Sequence, residues 1–410
     1  MKKVLFIGLG ESSHTSSWIS TLQGSDIDAR LFALPTGALP DSKDIPTYLS
    51  AHRFILRPKE YEVRGIPFFG RIFSLTLGLV NQFLIKANKI PLIHKLITIF
   101  NMSLDNRSTE KSLRSVIRKF SPDVIHTLGI FQASELYFKV KRDSPSIPWI
   151  VQVRGGPDLE LNEQDPFKKD QIRQILSSAT HIICDSETNY ARIRDYPNTQ
   201  GKFPLGVMSG TGGMDISRML AGKSYPTLKR NRLIVFPKAY EAVSSKATPV
   251  FEAINIAWDK IKPVQFRFLW MNQPDLILWM KKTLSSEILE SITIYDRVTR
   301  LEAIEHIREA QVLLSPSLMD GVPNSMLEAM TVGTIPIVSP LESISSLVDG
   351  AANVVFSRNL YPEELAEALI EALAHSVDNE NRIKNNFELV KQIYNRDEVT
   401  RRLIRFYQNC

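Results

Sequence analysis

The stretch QVLLSPSLMDGVPNSMLEAMTVGTIPIVSP, residues 311–340, sets an acidic loop and a short helical segment between two apolar runs. QVLLSPS and TIPIVSP are brief, apolar and bounded by Ser and Pro, which is how strands buried on both faces read. Whatever joins them is loop plus helix, so the unit is strand, loop, helix, strand, as in a parallel α/β sheet. Pro323 suits the first helical position, where a missing N–H costs nothing, and Gly333 suits the far end. The spacing therefore predicts a helix starting near Pro323 or Asn324.

That geometry favours a particular chemistry. The loop carries Asp320, Gly321 and Val322 to the carboxyl end of a strand. The N–H groups of Asn324, Ser325 and Met326 are expected to face the same space, at the positive end of the helix dipole. Such a mouth suits a phosphate or diphosphate. Glu328 lies about one turn further in and reaches a hydroxylated group such as a ribose. Two carboxylates beside a phosphate repel it unless they accept from hydroxyls. A nucleotide-sugar supplies both sets: sugar hydroxyls for Asp320 and ribose hydroxyls for Glu328. Taken singly, each acid also has an ordinary reading as a dipole partner or a turn residue.

Outward from this unit the same alternation runs through the chain. KVLFIGL, DVIHTLG, WIVQVRG and THIICDS precede residue 206; RLIVFPK, QFRFLWM and SITIYD join the two runs above after it. Strand-like runs separated by helical segments predict parallel sheets. Between the two groups, GKFPLGVMSGTGGMDISRMLAGKSYP gathers Gly, Ser and Pro as a linker does. A chain of 410 residues also exceeds what one core usually organises. The expectation is two doubly wound domains, residues 1–206 and 207–392, with ligands at the strand carboxyl ends facing a cleft.

Composition bounds the alternatives. An apolar fraction of 43% and a charged fraction of 23% describe a globular protein rather than a disordered or fibrous one. Two cysteines, Cys184 and Cys410, are too few for a disulfide framework or a zinc site and point to a reducing compartment. The opening MKKVLFIGLG reads as a first strand of a cytoplasmic protein rather than a signal peptide. A net charge of +6, spread along the chain, gives no footprint for nucleic acid. Residues 66–100 are dense in apolar side chains interspersed with Arg71, Lys86, Lys89 and Lys95. Two readings stay open there: helices packed on the sheet, or a basic amphipathic surface resting peripherally on an anionic membrane.

The acidic loop followed by LEAM, Gly333 and a strand resembles the GT-B fold glycosyltransferases of family 4. ESSHTSSWISTL, PDVIHTLG, VRGGPDL, ICDSETN and EAIEHIREAQVLLSPS resemble further landmarks of that family in order, and VKQIYNRDEVTRRLIRFYQ resembles its terminal helix. The resemblance implies two Rossmann-like domains, with residues 393–410 crossing back to the first. It implies a retaining, metal-independent transfer of a sugar from a nucleoside diphosphate donor to a glycan or lipid-linked acceptor, with no resident cofactor. Asp320 stands where the family usually has Glu.

Without a metal, the departing diphosphate must be met by cationic side chains and helix N–H groups. The family uses an Arg and a Lys after the first strand of its second domain. Here the candidates are Lys238, which replaces the Arg and lacks its fork, and Lys246. Gly10 suits a close approach of the first loop to the donor. His14 follows Ser12 at the start of the next helix, on the acceptor side. His126, ending the DVIH run, is expected to face the cleft as a catalytic group. Arg154 and Asp158 lie on a loop where acceptor and diphosphate meet. Alternatives on the same fold are a nucleotide-sugar epimerase or a catalytically silent sugar-nucleotide-binding subunit.

Overall fold

A computed structural model describes residues 1–34, 44–49, 109–142, 146–222, 226–229, 231–348 and 352–410. The basic apolar segment at 66–100 lies outside the described residues. Among those described, no helix is long and apolar enough to cross a membrane.

Twelve strands form two sheets. The first holds β1 (Lys2–Gly8), β2 (Ile27–Ala33), β3 (Thr47–Leu49), β4 (Val124–Leu128), β5 (Trp149–Val153) and β6 (His181–Cys184) in the order β3-β2-β1-β4-β5-β6. The second holds β7 (Leu233–Phe236), β8 (Gln265–Leu269), β9 (Ile292–Tyr295), β10 (Val312–Ser315), β11 (Ile335–Val338) and β12 (Val355–Phe356) in the order β12-β11-β10-β7-β8-β9. Every pairing is parallel. Counted within its own domain, each sheet has the doubly wound order, with a switch point between its first and fourth strands. All nine apolar runs are strands. The three that the sequence did not announce are β2, whose Asp28 and Arg30 pair at 2.7 Å, and the short edge strands β3 and β12.

Helices cover both faces of each sheet, so β4, β5, β7, β10 and β11 are buried throughout. The core changes hands between Met208, packed with the first sheet, and Met214, packed with the second. It changes back between Tyr394 and Val399. The terminal helix Arg396–Asn409 buries Val399, Leu403, Phe406 and Tyr407 against Val4, Phe6 and Trp18 of the first domain. The two passages between domains run side by side. Met214 donates its N–H to the Tyr394 carbonyl at 2.7 Å and accepts from the Arg396 N–H at 3.0 Å. Gly213, at φ +90°, permits this contact: a Cβ there would stand 2.8 Å from the Tyr394 carbonyl oxygen.

Candidate active site

The carboxyl ends of β1, β4 and β5 face those of β7, β8 and β10 across a cavity of about 1180 Å³. Its walls come from both domains. The second supplies Lys238, Asp320, Gly321, Val322, Pro323, Asn324, Ser325 and Glu328; the first supplies His14, Arg154 and Asp158. Eleven of the residues singled out in the sequence thus share one space.

The helix after β10 spans Asn324–Val332, with Pro323 as its N-cap rather than its first turn. Gly333 ends it in the left-handed conformation at φ 74°. No side chain caps the start. Met326 donates to the Pro323 carbonyl at 3.1 Å, so the mouth offers the N–H groups of Asn324 and Ser325 rather than three. Asn324 also ties the domains: its side chain lies 3.0 Å from His14 Nδ1 and accepts from Thr211 Oγ at 2.8 Å. Gly321 is the close-contact point of the loop. A Cβ there would stand 2.9 Å from Asp185 Oδ2 and 3.1 Å from the Gly155 Cα of the first domain.

The two acids are held differently. Asp320 forms an ion pair with Lys238, whose Nζ also donates to Ser317 Oγ at 2.7 Å. Glu328 is 5% exposed and receives Arg300 Nε and Nη2 at 3.2 and 3.1 Å, both on Oε1. Burial pushes the Glu328 carboxyl above the usual carboxylate range, and Arg300 opposes that rise.

On the facing wall, Asp158 accepts from the N–H groups of Ile130, Phe131 and Arg154, at 2.9, 3.4 and 3.4 Å. Burial outweighs these bonds and pushes its pKa up to about 6. Asp158 therefore organises the loop after β4. Arg154 donates from Nε to Gln152 at 3.1 Å, while its Nη2 is buried without a partner among the described residues. Burial brings its pKa down to about 10. His14 lines the cavity with its side chain open to solvent there. Desolvation by the surrounding walls first, then Arg154 and Arg300, bring its pKa down to about 4.

Three expected residues stand elsewhere. His126 is fully buried and does not face the cleft: Phe6, Trp18 and Tyr407 enclose it, and Nδ1 lies 2.6 Å from the Tyr407 hydroxyl. Burial holds its pKa well below the ordinary value. Strand β4 is covered on both faces, and the imidazole lies on the helix-covered face rather than at the strand end. Lys246 does not line the cavity; its Nζ is 3.6 Å from Glu241, which does. Gly10 is buried behind the cavity wall.

Sequence reasoning missed Asp185, Arg300 and Trp270, all of which line the cavity. Asp185 directly follows β6, and Trp270 directly follows β8. Arg300 opens the helix Arg300–Glu309 after β9, behind a capping box of Thr299 and Glu302. The strand-end rule that singled out Asp320 applies equally to Asp185 and Trp270.

Residues 234–375 match the family model described as Glycosyl transferases group 1. No curated protein sequence matches the chain. Among solved structures, the chain is similar to a sucrose-phosphate synthase from Thermosynechococcus elongatus (14% identity, 100% of this chain and 99% of that one, TM-score 0.68). It is similar to Anabaena Alr3699/HepE in complex with UDP and glucose (12% identity, all of both chains, TM-score 0.64). A glycosyltransferase from Rickettsia africae is similar as well (11% identity, 100% of this chain and 98% of that one, TM-score 0.63). The chain thus has the GT-B fold, two facing doubly wound domains, and residues 234–375 of its second domain are similar to the group 1 glycosyl transferases.

Proposed function

We propose that the protein transfers a sugar, with retention at the anomeric carbon, from a nucleoside diphosphate-sugar to a glycan or lipid-linked acceptor at the cytoplasmic face of a membrane. One observation carries the donor reading. An uncapped helix mouth at Asn324 and Ser325 stands between Glu328 and the Lys238–Asp320 pair on a single interdomain cavity. The amides and Lys238 receive the diphosphate, Glu328 receives the ribose, and Asp320, exchanged from Lys238, accepts from the sugar hydroxyls. Structures of HepE bound to UDP-glucose support a nucleotide-sugar in this fold. The acceptor reading rests on the basic apolar sequence at 66–100.

The bond from the anomeric carbon to the phosphate oxygen breaks as the acceptor oxygen attacks from the same face. The acceptor's proton passes to that phosphate oxygen. Positive charge from Lys238, Arg154 and the two amides stabilises the leaving diphosphate. This scheme needs no metal and no resident cofactor. His126 and Lys246 take no part in it.

A thermal-shift panel of nucleoside diphosphates and their sugars tests the donor, because a ligand of the folded state raises apparent stability. The anomeric configuration of the product, read by NMR, tests retention. No stabilisation by any nucleotide would end the reading, a trapped sugar adduct would end the same-face step, and conversion of a nucleotide-sugar without acceptor would mark an epimerase.

A further inference from the structure

We propose that Trp270 is the platform on which the donor's nucleobase stacks, an inference that rests on the nucleoside diphosphate reading above. Trp270 directly follows β8 and lines the cavity. Its backbone is left-handed, at φ +61°, where glycine is the ordinary occupant and a bulky side chain is strained. Such strain gathers at ligand sites. Packing does not account for it: the indole is 38% exposed, whereas neighbouring Leu269 and Met271 are 0% and 1% exposed.

The ring is also backed. The Arg297 guanidinium lies over it, 5.6 Å from Cζ to the ring centroid. Arg297 sits just before the capping box of the helix that begins with Arg300, and Arg300 holds Glu328. Platform, backing cation and ribose acid therefore follow one another along the second domain's wall. A nucleoside diphosphate with its phosphates at Asn324 and its ribose at Glu328 has its base beyond the ribose, on the side of Arg300 and Trp270. Asn272, also on this wall, offers an amide to the base edge.

Stacking a base on an aromatic ring is worth about 10- to 100-fold in affinity. The test is calorimetric titration of the full chain with UDP, GDP, ADP and inorganic pyrophosphate, for wild type, W270G and W270F. The best nucleoside diphosphate should bind W270G at least 10-fold more weakly and W270F within threefold of wild type. Pyrophosphate should bind all three alike. W270G should melt no lower than wild type, because glycine relieves the backbone. Retained nucleotide affinity in W270G, a parallel loss of pyrophosphate, or a lowered melting temperature would each overturn the proposal. A wild-type protein that binds no nucleoside diphosphate more tightly than pyrophosphate would instead overturn the donor reading itself.

Discussion

Arg300 grips Glu328 through one oxygen: Nε and Nη2 both reach Oε1, at 3.2 and 3.1 Å. The second carboxylate oxygen takes no part in that pair and is the one the proposed ribose contact uses. Removing the guanidinium leaves a buried carboxyl that rises further in pKa. Arg300→Met should therefore weaken nucleoside diphosphate binding about 10-fold and cost about 2 kcal/mol of stability. Binding should fall as pH drops through the Glu328 pKa, and the variant should lose it at higher pH than wild type. Calorimetry across pH 4.5 to 7.5, a range of about 3 units around the carboxylate and neutral values, reads both effects.

Asp320 pairs with Lys238, and the proposed mechanism has a donor separate them. In Asp320→Ala that lysine is free for the diphosphate, while the sugar loses its acceptor. Nucleoside diphosphate affinity should stay within threefold or improve, and turnover should fall by about 100-fold, roughly 2.7 kcal/mol of transition-state stabilisation. Steady-state kinetics beside direct binding separates the two. Equal losses in both would place Asp320 at the nucleotide rather than the sugar.

His14 titrates below its unfolded value. A folded-state pKa depressed from 6.5 to about 4 favours the neutral ring, so the stability it contributes is complete above pH 6.5 and is lost as pH falls towards 4. Wild type should therefore lose melting temperature across that window faster than His14→Gln. The NMR titration of His14 should have its midpoint near 4, and a midpoint above 6 would contradict the assignment.

Tyr407 closes a buried network, accepting from Trp18 Nε1 at 3.2 Å and meeting His126 Nδ1 at 2.6 Å. Tyr407→Phe leaves both groups without that partner and should cost about 1 to 3 kcal/mol in denaturant unfolding. Nucleoside diphosphate affinity should not change, because none of the three residues lines the cavity. A selective loss of turnover at full stability would return His126 to the chemistry.

Much of the fold was legible because a buried parallel strand has few ways to look other than apolar and short. β2 escaped because Asp28 and Arg30 satisfy each other within the strand, which hides its apolar character. Asp320, Gly321 and Glu328 were legible because a single strand, loop and helix carry them. His126 was misread because β4 runs two residues past it, to Leu128, and sequence does not show which face a mid-strand side chain takes once the terminal helix covers it. Trp270, directly after β8, was open to the strand-end rule; Arg300 meets Glu328, distant in sequence, and local pattern carries no sign of that pairing.

The bridge at Met214, Tyr394 and Arg396 limits how the two lobes move. Two parallel passages bonded to one another act as a pivot, which allows swinging and resists sliding. Thr211 stands two residues before Gly213 and donates to Asn324, so the helix mouth proposed for the diphosphate is tied to the interdomain passage. Gly213→Ala would force the two passages apart at the Tyr394 carbonyl, and so shift the orientation of one lobe on the other from a position outside the cavity lining.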